Sequence, residues 1–148
     1  MKRLALLIAL TLPGTALATD YAVVAAQSTL GFAATFQGET FNGRFDSWDA
    51  AIRYDPANLV DAKFDVTVTL ASAATGDDDR DTTLPTASFF DVAKFPTAHY
   101  VTTGFRQEGG QVWADGALTL RGVTHPLRLA VTFKDAAGGA TLDVAGTL

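Results

Sequence analysis

In residues 62–70 every second position is apolar: Ala62, Phe64, Val66, Val68 and Leu70 alternate with Lys63, Asp65, Thr67 and Thr69. Successive side chains of a strand point to opposite faces, so this period of two describes a strand with one packed face and one wet face. The pattern recurs. Leu30, Phe32, Ala34 and Phe36 form one set; Trp48, Ala50, Ile52 and Tyr54 form another, closed by an Asp55-Pro56-Ala57-Asn58 turn. Residues 98–105 read as a strand, and Glu108-Gly109-Gly110 as a tight turn. Val112, Ala114, Gly116, Leu118 and Leu120 follow, then a turn at 122–126, then Leu127, Leu129, Val131 and Phe133, and finally Leu142, Val144, Gly146 and Leu148. About eight strands at hairpin spacing predict an all-β, antiparallel barrel or sandwich, because closure or doubling removes exposed edges.

Residues 72–97 break the alternation. Gly76-Asp77-Asp78-Asp79 predicts the start of a short helix, since carboxylates suit the positive end of the helix dipole. The remainder is a connector with prolines at 85 and 96, yet it carries Leu84, Phe89, Phe90, Val92 and Phe95. Large apolar side chains in a connector must lie on something apolar. They predict either a cap over one mouth of a barrel or a satellite cluster that completes the core.

Residues 1–18 have a different logic. Lys2-Arg3, an apolar run and Ala16-Leu17-Ala18 form a basic, hydrophobic and small-x-small series, which predicts a cleaved secretory signal peptide and a mature domain at 19–148. Export of a chain with no cysteine leaves packing as the source of stability. A formal charge of −5 argues against nucleic acid as partner.

Chemistry is sparse. His99 and His125 stand far apart in sequence with no metal-ligand spacing, Asp77-Asp78-Asp79 lacks the spaced oxygens of a calcium loop, and no nucleophile elbow or phosphate loop is present. The expectation is a protein with no catalytic residues and no metal. A large apolar inner face, with small residues such as Ala34, Ala62 and Ala114 on it, either fills itself or leaves room for an apolar ligand.

Several stretches together resemble the YceI-like family of periplasmic polyisoprenoid-binding proteins: "STLGFAATFQGETFNGRF", "VTVTLASAATGDDDRDTTL", "SFFDVAKFPTAHYVTT" and "DGALTLRGVTHPLRLAV". The resemblance implies a lipocalin-like barrel in the periplasm. It also implies a non-catalytic role in binding or transporting an isoprenoid lipid, a polyprenyl chain or isoprenoid quinone. The ligand-binding residues it points to, with the alternation, are Phe32, Ala34, Phe36, Phe64, Val66, Leu84, Phe89, Phe90, Phe95, Leu118, Leu129 and Val131. No cofactor beyond that lipid or quinone is implied. The alternative is a periplasmic interaction module with a filled barrel, as a homodimer or an accessory to a b-type membrane cytochrome; an outer-membrane barrel is a third reading. Two departures stand out. Phe36 occupies a position where many family members carry histidine, which implies a more apolar site. The family's C-terminal segment is absent after Leu148, which predicts a C-terminally short barrel, incompletely closed.

Overall fold

The chain reverses at pairs of residues in the left-handed region. Gln37 and Gly38 (φ 50° and 85°) and Arg121 and Gly122 (φ 50° and 73°) each make a two-residue hairpin loop. Positive φ at both central positions gives a turn whose twist matches that of the strands it joins. A computed structural model describes residues 18–148. The expected signal peptide therefore lies almost wholly outside the described residues.

The strands are β1 (Thr19–Tyr21), β2 (Leu30–Phe36), β3 (Glu39–Phe45), β4 (Trp48–Tyr54), β5 (Lys63–Thr69), β6 (Ala73–Ala74), β7 (Thr97–Glu108), β8 (Gln111–Leu120), β9 (Val123–Ala136) and β10 (Gly139–Ala145). One helix, α1 (Asp78–Thr83), precedes the aromatic connector. A seven-stranded sheet runs β1-β4-β5-β7-β8-β9-β10 and a three-stranded sheet runs β2-β3-β6, with every pairing antiparallel. The two are one ribbon turned at a corner. Thr69 N–H donates to the Ser47 carbonyl (3.0 Å) and Asp46 N–H to the Ser72 carbonyl (3.1 Å). The Ser72 hydroxyl accepts from Ser47 N–H (2.9 Å) and donates to the Thr69 carbonyl (2.7 Å), so the backbone groups freed by the bend stay paired. The result is a nearly closed, barrel-like antiparallel sheet, as the alternation predicts. At one end Tyr21 of β1 meets Phe133 of β9, ring centroids 5.9 Å apart.

The inner face carries two clusters. Tyr54, Phe64, Ala114 and Val131 are buried at one, with Tyr21, Ile52, Phe105, Leu129 and Phe133 packed around them. Val68, Leu70 and Ala98 anchor the other, with Phe45, Trp48, Val66, Phe90, Val92 and Leu118 against them. Between the clusters Tyr100 crosses Gly116. Its hydroxyl donates to the carbonyls of Leu127 (3.3 Å) and Ala114 (3.4 Å), and burial, followed by the nearby Asp115 carboxylate, pushes the phenol up to about 12.

The structure departs from the sequence reading in three ways. Strands β1, β3 and β6 are additional to those the alternation predicts. The turn expected at 122–126 is confined to Arg121-Gly122, and Val123 to Pro126 already belong to β9. Pro126 is tolerated because β10 pairs with β9 only from Ala130 onward, so no neighbour on that side needs its missing N–H. Finally, β7 runs longer than 98–105 and contains a bulge. Thr102 faces Gly116 and Gly104 faces Asp115, leaving Thr103 as the extra residue. The bulge resets the alternation, so Tyr100 and Phe105 both point inward although five positions separate them.

Candidate functional site

Helix α1 forms where it does because Asp77 caps it, its carboxylate accepting from the Arg80 N–H at 2.8 Å. Asp81 then moors the helix to Thr75, the residue that follows β6. One of its oxygens accepts from both the amide and the hydroxyl of Thr75, each at 2.7 Å. Those bonds, the hydroxyl's first, hold the Asp81 carboxyl below its ordinary 3.8. A carboxyl depressed in the folded state stabilises above its unfolded value and stops doing so as pH falls through the folded value. Exchange of the Thr75 amide proton, corrected for its intrinsic rate, should therefore accelerate as pH drops below 3.8 while amides of β8 stay slow. In Asp81→Asn the acceleration should be gone; if it persists, the mooring is not the carboxylate.

The connector after α1 holds its own shape. Phe90 N–H donates to the Leu84 carbonyl (2.9 Å), Asp91 N–H to Thr86 (2.9 Å) and Val92 N–H to Pro85 (3.1 Å). Arg121, from the β8–β9 turn, donates to the Phe89 carbonyl at 2.6 Å. Phe89 is thus presented to the β2–β3 hairpin, where it meets Phe36 edge-on at 5.5 Å.

Between that hairpin and α1 lies a cavity of about 290 Å³. Phe36, Phe41, Leu84 and Phe89 supply its apolar lining. Leu84 is buried, whereas Phe36 is half exposed. Glu39, Thr40, Asp77, Asp79, Arg80 and Thr83 supply the polar part. The Arg80 guanidinium lies 4.4 Å from the centre of the Phe41 ring, a cation–π contact. A second concavity of about 360 Å³ lies on the outer face of β1, β4 and β5, among Asp20, Tyr21, Ala51, Ile52, Arg53, Lys63 and Asp65. Its rim is spanned by an exposed Arg53–Asp20 ion pair (2.8 Å), which suits water better than hydrocarbon.

Of the expected ligand-binding residues, Phe36, Leu84 and Phe89 come together in the cavity. Phe32 lies beside it, its ring 6.4 Å from Phe41 and 5.0 Å from Phe45, over the bare backbone of Gly43. Ala34 pairs with Phe41 across the hairpin. Val66, Phe90 and Leu118 pack into the cluster of Val68, Leu70 and Ala98, while Phe64, Leu129 and Val131 belong to the cluster around Tyr54. Phe95 lies under the turn at Gly122. The connector is divided: Phe90 and Val92 pack against the core, as a satellite cluster would, while Leu84 and Phe89 line the cavity.

Residues 21–148 match the family model described as the YceI-like domain. The chain belongs to the YceI-like family. A UPF0312 protein of Pseudomonas syringae pv. syringae is 35% identical over 156 residues, covering 99% of this chain and 81% of the relative. A UPF0312 protein of Shewanella denitrificans is 33% identical over 124 residues, covering 81% of this chain, which spans 65% of that relative's length. Among solved structures, the Campylobacter jejuni YCEI protein superposes with a TM-score of 0.62 at 28% identity, over 80% of this chain and 71% of that one. BcnA of Burkholderia cenocepacia superposes with a TM-score of 0.75 at 23% identity, over 81% of this chain and 76% of that one, a likeness of fold.

Within this YceI-like barrel, the cavity residues that escaped the sequence reading are Phe41 and the whole polar part. Phe41-x-Gly43-x-Phe45 carries the period of two that would have found β3 and Phe41. The acids and Arg80 have no such signal, because only folding brings residues 39–41 beside 77–83. Among the described residues no group of three His, Asp or Glu is placed to hold a metal ion. His99 sits on the outer face, 2.7 Å from Asp65. Among the described residues no helix is long and apolar enough to cross a membrane.

Proposed function

We propose that the protein is an exported, non-catalytic carrier that holds an isoprenoid lipid, a polyprenyl chain or an isoprenoid quinone, with one end seated in the cavity between the β2–β3 hairpin and the aromatic connector. The observation that carries this reading is the meeting of Phe36, Phe41, Leu84 and Phe89 around about 290 Å³ of unfilled space. Three aromatic rings and a leucine around an open space, with Phe36 and Phe89 edge-on at its wall, offer a hydrocarbon guest an apolar seat. The volume is at the small end of ligand sites, which run from about 300 to 1,000 Å³. The rest of a long tail follows the half-buried rings of Phe32 and Phe45. Each methylene removed from water contributes about 0.8 kcal/mol, so a tail binds firmly with little polar help. Membership of the YceI-like family is in keeping with this, and the leader at residues 1–18 with action in the periplasm; the mass of the mature chain tests the latter, which fails if residues 1–18 are retained.

The test is native mass spectrometry of protein purified from the periplasm, with organic extraction of any adduct. Wild-type protein should carry a species of polyprenyl or quinone mass. Phe89→Asp should reduce retention about tenfold or more, the equivalent of about 1.4 kcal/mol, because a carboxylate would replace part of the apolar lining. Its far-UV circular dichroism should be unchanged, since Phe89 is only partly buried. Phe90 is the wrong probe: it packs against the core, so Phe90→Asp would unfold the protein and empty the site indirectly. Lipid content unaltered by Phe89→Asp would remove the cavity from the function.

A second reading has an observation of its own. Tyr54, Phe64, Ala114 and Val131 are buried against one another, so that part of the interior is filled by the protein's own side chains. Folded protein that is bare and refuses added isoprenoid would favour an interaction module, acting on a membrane cytochrome or a second copy through its surface.

A further inference from the structure

We infer that the cavity selects isoprenoids with an uncharged head, such as a prenol or a quinone, and turns away those ending in a phosphate. The inference rests on the lipid-holding reading above and narrows it to a substrate class. The observation behind it is the charge of the lining: Glu39, Asp77 and Asp79 against Arg80 alone. Arg80 is also engaged, its guanidinium lying on the Phe41 ring at 4.4 Å. The cation close by, Arg121, is turned to the carbonyl of Phe89. Helix α1 offers a phosphate nothing either, since Asp77 already occupies its first turn with a carboxylate.

A phosphate entering here would lose hydration and meet an excess of like charge, and both effects oppose it. Even a swing of Arg80 off Phe41 would leave three carboxylates facing one guanidinium. An alcohol or a quinone carbonyl suffers neither penalty. It needs a hydrogen bond at most, and the hydroxyls of Thr40 and Thr83 are in the lining.

The experiment compares two probes with the same tail, farnesol and farnesyl phosphate, each below the concentration at which it aggregates. Binding to the mature chain is followed by displacement of a fluorescent fatty probe at low and at high salt. Farnesol should bind about tenfold more tightly at low salt, with the gap narrowing as salt screens the carboxylates. Glu39→Gln/Asp79→Asn should raise affinity for farnesyl phosphate several-fold relative to farnesol, so that the ratio between the two probes falls. Both positions are exposed, and Asp77 is left in place so that the helix cap survives. Glu39→Gln alone, on the hairpin, should give a smaller change in the same direction. Farnesyl phosphate bound as tightly as farnesol, or more so, would overturn the selectivity and leave the carrier reading standing. Failure of both probes to bind would overturn the carrier reading and the selectivity with it.

Discussion

Phe64→Ala should destabilise the protein by about 3–5 kcal/mol, read as a lowered midpoint of denaturant unfolding with an unchanged slope. The Phe64 ring is 2% exposed and lies 4.9 Å from Phe105 and 6.0 Å from Tyr54. None of these neighbours can follow the deletion. Tyr54 is also in contact with Phe133, at 5.0 Å, and the Phe64 backbone is pinned where its N–H donates to the Thr102 hydroxyl at 3.0 Å. Such a site collapses poorly, and a cavity that stays open keeps the full penalty. Domains of this kind are stable by only about 5–15 kcal/mol, so Phe64→Leu, with a smaller loss, keeps the measurement in range if the alanine variant does not fold. A loss under about 1 kcal/mol for Phe64→Ala would mean that this ring is not core, and that the interior near it is loose enough to admit a guest.

Gly116→Val should be comparably damaging, for the opposite reason. A Cβ at Gly116 would come within 2.5 Å of the Tyr100 hydroxyl oxygen and 2.6 Å of the Val101 carbonyl oxygen. A side chain can move away, but the carbonyl belongs to the neighbouring strand. Overpacking of this sort costs about 1–3 kcal/mol and here should reach the top of that range. Removing the ring tests the geometry. In a double-mutant cycle with Tyr100→Leu, part of the penalty should disappear, and the remainder measures the backbone contact. Full additivity of the two changes would show that Tyr100 does not cross Gly116.

These two positions also show what a sequence can and cannot convey here. Alternation in residues 62–70 and 112–120 placed Phe64, Val68, Ala114 and Leu118 on the inner face, because a half-buried strand writes its burial directly as a period of two. In strand β3 the period of two runs through only two large apolar residues, Phe41 and Phe45, with Gly43 between them, whose bareness is what admits the Phe32 ring. Alternation does not separate filling from lining. Phe64 and Phe36 both belong to the apolar set of a regularly alternating strand, yet one is 2% and the other 52% exposed. The difference is made by which strands and which connector arrive opposite, and those are distant in sequence. The same holds for Glu39, Asp77 and Asp79, acids on a hairpin and a helix end that become one charged lining only after folding. Phe89 and Phe90, adjacent in sequence, part company because the connector turns between them, sending one to the cavity and the other to the core.

The bulge at Thr103 gives β7 an unusual response to length. In a regular strand, loss of one residue turns everything beyond it inside out. Between Tyr100 and Phe105 the chain carries one residue more than its partner β8 requires. A single-residue deletion there would heal the ladder and leave both rings facing inward, whereas the same deletion in β8 would reverse half of that strand. Across relatives that differ in length, this short exposed step is where a gap can open without the barrel registering it.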